Sequence, residues 1–168
     1  MKPFQLLIKP AAGDCNLACD YCFYRGTSPE LYPSEKRHRM SRETMELMVG
    51  ELLSYRFPET IFSWQGGEPT LMGLDFFERV IRTQMDLGRK GQVVGNALQT
   101  NGMLIDGEWA RFLARYKVVV GLSLDGPREI HDRYRKNRAG SGTFDKVMEA
   151  AEVMRRHGTA FNILCVVN

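Results

Sequence analysis

The sequence predicts an α/β fold built on a parallel sheet or barrel. Three observations carry that expectation. Five short apolar runs rich in β-branched residues recur along the 168 residues, and they are near-continuous in hydrophobicity, as parallel strands covered by helices are. Segments with an apolar period near 3.6 lie between them. The repeated order strand, loop, helix calls for right-handed crossovers, each returning the chain to a parallel neighbour.

The elements follow in order. Phe4 to Ile8 (FQLLI) reads as the first strand, ended by Lys9-Pro10. Met45, Met48, Val49, Leu52 and Leu53 then share one face of a helix that Ser41 can cap. Thr60 to Trp64 is the second strand, and Phe77, Val80, Ile81 and Met85 line the next helix. Val93 to Thr100 is the third strand, with Trp109, Phe112 and Leu113 marking a shorter helix after Asp106. Lys117 to Leu124 is the fourth. Phe144, Val147, Met148, Ala151 and Met154 give a last helix, with Thr143 as its cap and Gly158 as its stop. Phe161 to Val167 is the fifth strand. The methionines read as core fillers. The chain stops at Asn168, directly after a buried-looking strand that no helix covers. It therefore reads as the N-terminal piece of a larger protein, one incomplete domain over 1–168 truncated after about the fifth strand.

Size allows one domain with a real core. An apolar fraction of 43% and a charged fraction of 26% exclude a disordered chain. The net charge of +3 is small, and the basic cluster Lys36, Arg37, His38 and Arg39 reads as a solvated loop, so no nucleic-acid partner is expected. The apolar run of MKPFQLLIKP is too short for a signal peptide, and no stretch approaches the roughly 20 residues that cross a bilayer. A cytoplasmic location follows as the expectation, with thiols kept reduced.

That compartment frames CNLACDYC, where Cys15, Cys19 and Cys22 fall in the long loop after the first strand. Clustered reduced thiols point to metal ligands or reactive groups. Three thiolates can hold three corners of a cubic iron–sulfur cluster and leave the fourth iron open. Zinc is the competing reading, with His38 as a fourth ligand, although two prolines stand in the loop between. Cys165 lies inside the fifth strand and reads as a buried, inert thiol.

CNLACDYCFY, with an aromatic directly before its third cysteine, and QGGEPTL (Gln65 to Leu71) after the second strand together resemble the radical S-adenosylmethionine (SAM) superfamily. LQTNG after the third strand, GLSLDGP after the fourth, IHDRYRKNRAGSGTF and FNILCVVN narrow the resemblance to the anaerobic sulfatase-maturating enzymes. The resemblance implies a partial (β/α) radical SAM barrel that binds a [4Fe–4S] cluster on Cys15, Cys19 and Cys22, and SAM on the open iron. One electron from the cluster then breaks a carbon–sulfur bond of SAM to give a 5′-deoxyadenosyl radical. In that family the radical oxidises an active-site cysteine or serine of a sulfatase to formylglycine, with a donor such as flavodoxin or ferredoxin supplying electrons. The family's proton-accepting acidic residue, sixth strand, one further SAM contact and auxiliary-cluster cysteines are expected beyond residue 168. The chain alone is thus not expected to turn over substrate, and its half-built barrel should expose apolar surface and associate. Maturation of another ribosomal peptide, or a non-catalytic zinc-binding module, are the alternative functions.

Residue roles follow from the same resemblance. Gly66 and Gly67 lack a Cβ, so their carbonyls can approach the SAM ammonium. Glu68 supports that contact or holds the loop's own amides. Ser123 matches a SAM contact, and Asp125 reads as a turn and helix-cap residue. Arg135 matches an arginine beside the SAM carboxylate, in a segment that also holds Arg133, Lys136 and Arg138. Tyr21 packs over the adenine or within its loop. Tyr24, Gln65 and Gln99 are candidates for the substrate side. His131 and Trp64 read as structural.

Overall fold

A computed structural model describes residues 2–25 and 37–167; Lys36 of the basic cluster lies outside the described residues. Five parallel strands form one sheet in sequence order: β1 (Leu6–Ile8), β2 (Glu59–Trp64), β3 (Val93–Thr100), β4 (Val119–Ser123) and β5 (Phe161–Leu164). Among the described residues the full helices are α1 (Arg42–Ser54), α2 (Leu74–Leu87), α3 (Gly107–Arg115), α4 (Arg128–Tyr134) and α5 (Phe144–Arg156), with a short 3₁₀ turn at Pro69–Met72. In register Ile8 stands beside Trp64, Trp64 beside Leu98, Thr100 beside Leu122, and Ser123 beside Leu164. The C-terminal ends of all five strands therefore meet along one edge, and the loops that leave them converge there.

Helices cover one face of the sheet. Phe62, Trp64, Leu98, Val120 and Leu122 point into that layer and are buried against Met45 and Val49 of α1, Phe77 and Val80 of α2, Trp109 and Leu113 of α3, and Val147 and Met154 of α5. Trp64 meets Phe77 edge-on, Phe77 meets Trp109, and Trp109 meets Phe112, with centroids 5.6, 5.5 and 6.2 Å apart. Burying each of these side chains contributes roughly 1.5–3 kcal/mol. Trp64 Nε1 donates to Asn96 Oδ1, which Gln84 also reaches, so Trp64 is structural as expected. Ser63, Ala97, Gln99 and Gly121 stand in register on the opposite face. That face is not packed under helices, so the helix layer covers one side of the sheet, as in the partial (β/α) barrel expected.

Local chemistry accounts for the start of two helices. Ser41 caps α1 by accepting from the Thr44 amide, and Asp106 caps α3 by accepting from Glu108 and Trp109. Thr143 does not cap α5. Asp132 Oδ1 accepts from the Thr143 and Phe144 amides, while the Thr143 hydroxyl donates to the Arg135 carbonyl. Met45 and Met154 fill the core, whereas Met85 and Met148 are exposed. β4 begins two residues later than expected, because the Val118 amide closes α3 on the Leu113 carbonyl. β5 ends at Leu164, and Cys165 is exposed instead of buried. Ile163, Leu164, Val166 and Val167 are also exposed, the apolar edge that the sequence led one to expect. Among the described residues no helix is long and apolar enough to cross a membrane.

Candidate active site at the C-terminal edge of the sheet

The cysteine loop leaves β1 and is clamped from two sides. On one side the Gly67 amide donates to the Ala12 carbonyl at 2.9 Å and the Glu68 amide to the Asp14 carbonyl at 2.7 Å. On the other, the Ala18 and Asp20 amides donate to the carbonyls of Lys136 and Tyr134, and Arg138 Nη2 donates to the Cys15 carbonyl at 2.7 Å. Asp14 is held in turn by His38 Nδ1 at 2.7 Å and by Arg39 at 2.8 Å. His38, the fourth zinc ligand considered from sequence, thus faces Asp14. Among the described residues no three histidine, cysteine or acidic side chains converge on a point suited to one metal ion.

The glycines explain the tight crossing. Gly66 has φ +114°, and a Cβ there would lie 2.7 Å from the Ala12 carbonyl oxygen. A Cβ on Gly67 would lie 2.0 Å from the Asp14 carbonyl oxygen. Both positions require glycine because the cysteine loop passes directly over them. Glu68 follows, fully buried, its Oε1 accepting from the Thr70 amide and from the Thr70 and Thr100 hydroxyls, and its Oε2 from the Asn101 amide. Of the two roles open from sequence, its carboxylate geometry is that of a loop holder, and burial raises its pKa against the pull of these donors.

A cavity of about 270 Å³ opens at this edge. Cys15, Cys19, Cys22, Tyr21 and Tyr24 of the first loop, Gly66, Gly67 and Glu68 of the second, Gln99 on β3, Ser123 at the end of β4 and Arg135 after α4 all line it. Every site residue expected from sequence is therefore brought together except Gln65, which does not line the cavity; its amide donates to the Ile8 carbonyl. A family model described as the radical SAM superfamily matches residues 11–167. The chain belongs to the radical SAM superfamily.

Similarity to characterised members is extensive. The chain is 48% identical over 168 residues to the cysteine-type anaerobic sulfatase-maturating enzyme of Clostridium perfringens, covering 99% of this chain and 45% of that enzyme. It is 39% identical to the serine-type enzyme of Bacteroides thetaiotaomicron, covering 99% of this chain and 40% of that one. The solved structure of native anSMEcpe with bound AdoMet and Cp18Cys peptide superposes with a TM-score of 0.90 at 46% identity, over 99% of this chain and 44% of that one. The chain thus spans less than half the length of each of these two enzymes.

A radical SAM chain uses a [4Fe–4S] cluster and SAM, and the donor set here suits both. Cys15, Cys19 and Cys22 are free thiols that all line the cavity, the three-thiolate donor set that a cubic cluster with one open iron takes. Burial pushes the Cys15 thiol up to about 11, with Glu68 and the other two thiols adding to the rise, so ligation by this radical SAM loop must displace its proton. The cysteine loop is tied through Tyr21 to a buried cation, Arg135, and its carboxylate partner Asp125. Arg135 Nε and Nη2 bind Asp125 at 2.7 and 3.2 Å, Tyr21 Oη donates to Asp125 Oδ2 at 2.5 Å, and the Val166 amide donates to Oδ1 at 3.0 Å. Burial alone would raise the Asp125 pKa, but the Arg135 and Tyr21 hydrogen bonds and the Arg135 charge hold it below the ordinary carboxylate range. Asp125 is thus the hub of a buried network, not the cap of α4. His131, wholly buried, accepts from the Asp125 amide and meets Thr143 Oγ1 at 3.0 Å, a structural part as expected.

Two further residues of the site were not picked out from sequence. Asn101 and Thr100 line the cavity and bind the Glu68 carboxylate. Their signal was LQTNG at the C-terminal end of β3, polar residues where a parallel strand delivers its loop to the chemistry.

Proposed function

We propose that this chain is the N-terminal radical SAM core, residues 1–168, of an anaerobic sulfatase-maturating enzyme that oxidises a cysteine or serine of a sulfatase to formylglycine. The observation that carries the reading is the single cavity shared by three thiols, Arg135, Ser123 and the Gly66–Gly67 crossing, in a chain 48% identical to a cysteine-type maturase.

Cys15, Cys19 and Cys22 would hold three irons of the cluster. When bound and reduced, the cluster supplies the electron that cleaves SAM to a 5′-deoxyadenosyl radical. Arg135 uses Nε and Nη2 on Asp125, which aims its remaining donors into the cavity to pair with the SAM carboxylate. The Gly66 and Gly67 carbonyls accept from the SAM ammonium, and the Ser123 hydroxyl bonds the carboxylate or ribose. Tyr21, tethered by its hydroxyl to Asp125, presents its ring beside the adenine. Tyr24 and Gln99 also line the cavity and position the substrate peptide. Packing of the loops around the cavity limits water near the radical. The acidic proton acceptor and the auxiliary clusters are assigned to the parent protein beyond residue 168, as are most substrate contacts. The proposal includes a cytoplasmic setting, with flavodoxin or ferredoxin as the electron donor.

The test is anaerobic assay of the full-length parent with iron, sulfide, SAM, a reductant and a sulfatase-derived peptide carrying cysteine or serine. SAM-dependent loss of peptide mass to the formylglycine value is expected. An unchanged sulfatase peptide, with SAM still cleaved, would assign the enzyme to another ribosomal peptide.

A further inference from the structure

Asn101 is buried at the end of β3, and its side-chain amide is held at both ends. The Met103 amide donates to Oδ1 at 3.0 Å, which orients the group so that Nδ2 faces the cysteine loop. There Nδ2 donates to Asn16 Oδ1 at 2.8 Å and lies 3.5 Å from Cys15 Sγ. The Leu17 amide reaches the same sulfur at 3.4 Å. The Asn101 amide in turn donates to Glu68 Oε2 at 2.8 Å, so the buried carboxylate sets where the side chain stands.

We propose that Asn101 tunes the cluster, its Nδ2–H donating to the Cys15 thiolate and raising the reduction potential of the iron–sulfur centre. The inference rests on the radical SAM reading of the three cysteines. Adding one electron to the cluster makes it more negative, and an N–H dipole directed at a ligand sulfur stabilises that added charge. The donor sits at the end of a strand and is fixed by two further hydrogen bonds, so it keeps its aim without reorganising on reduction. Asn16 shares the donor and limits how much of it the sulfur receives.

The test is a dithionite titration of the reconstituted full-length protein without SAM, followed by the EPR signal of the reduced cluster. Asn101→Ala is expected to shift the midpoint to a more negative value. Asn16→Ala, which removes the competing acceptor and leaves the donor, is expected to leave the midpoint unchanged or move it positive. Hyperfine spectroscopy after transfer to deuterated buffer supplies a second readout. An exchangeable proton coupled to the cluster should be lost in Asn101→Ala and kept in Asn16→Ala. Should Asn101→Ala hold no cluster, Asn101→Ser takes its place, because its short hydroxyl can still accept from Met103 but cannot span to the sulfur. An unmoved midpoint overturns the inference, and so does an equal negative shift in both variants, which would mark loop relaxation. A parent protein that holds no EPR-active cluster overturns the radical SAM reading itself, a result distinct from a loaded cluster indifferent to Asn101.

Discussion

Asp125 joins four parts of the site through one carboxylate: the cysteine loop by Tyr21, the end of β4 by its own backbone, the segment after α4 by Arg135, and the end of β5 by Val166. Removing one partner of a buried ion pair leaves the other charge uncompensated, a loss of roughly 3–5 kcal/mol. Asp125→Ala should therefore lower the urea-unfolding free energy by about that amount and weaken SAM binding through a loosened Arg135. The pH dependence has a definite sign. A carboxylate held below its unfolded value of roughly 3.9 contributes stability above that value and loses it as pH falls through the depressed folded value. Asp125→Ala should flatten the acid limb of the stability profile and leave the profile across neutral pH parallel to that of the unsubstituted protein. None of this was legible in SLDGP, which reads as a turn, because Tyr21 lies 104 positions away. The three cysteines were legible, since their spacing within one loop is itself the signal.

At the scale of elements, what a segment encodes alone was readable, and what it borrows from another segment was not. Ser41 caps its own helix, as the sequence shows, and Asp106, read only as the residue before its helix, caps that one. The cap of α5 comes from Asp132, eleven and twelve positions before the amides it accepts from, while Thr143 beside them has the right chemistry and turns its hydroxyl elsewhere. Asp132→Ala should cost about 1 kcal/mol in thermal or urea unfolding. The Gly66–Gly67 crossing illustrates the same point. The sequence suggested glycine for approach to a ligand, but the structure adds a demand from the chain itself, since a Gly67 side chain would collide with the Asp14 carbonyl. Gly67→Ala should displace the cysteine loop, so that iron and sulfide content after reconstitution falls sharply. Circular dichroism of α1, α2 and α5 should stay near that of the parent, because those helices pack on the other face of the sheet.

For the molecule as a whole, the strand–loop–helix rhythm was enough to foresee five parallel strands, and right-handed crossovers place them in sequence order. Which face lies open was not foreseeable from near-continuous hydrophobic runs, because β2 and β4 carry apolar residues on both sides. The open face presents Ser63, Ala97, Gln99 and Gly121, small or polar residues, and Gln99 among them lines the cavity. The proposed function requires that loops from successive strands assemble a SAM-accessible iron–sulfur site from Cys15, Cys19 and Cys22. The most direct measurement is EPR of the full-length protein, reconstituted anaerobically with iron and sulfide, reduced, and recorded before and after SAM is added. The prediction is a brown protein with a reduced [4Fe–4S] signal that changes on SAM binding and is lost in each cysteine-to-alanine variant. A colourless protein holding one tight zinc, or a cluster whose signal ignores SAM, would contradict it.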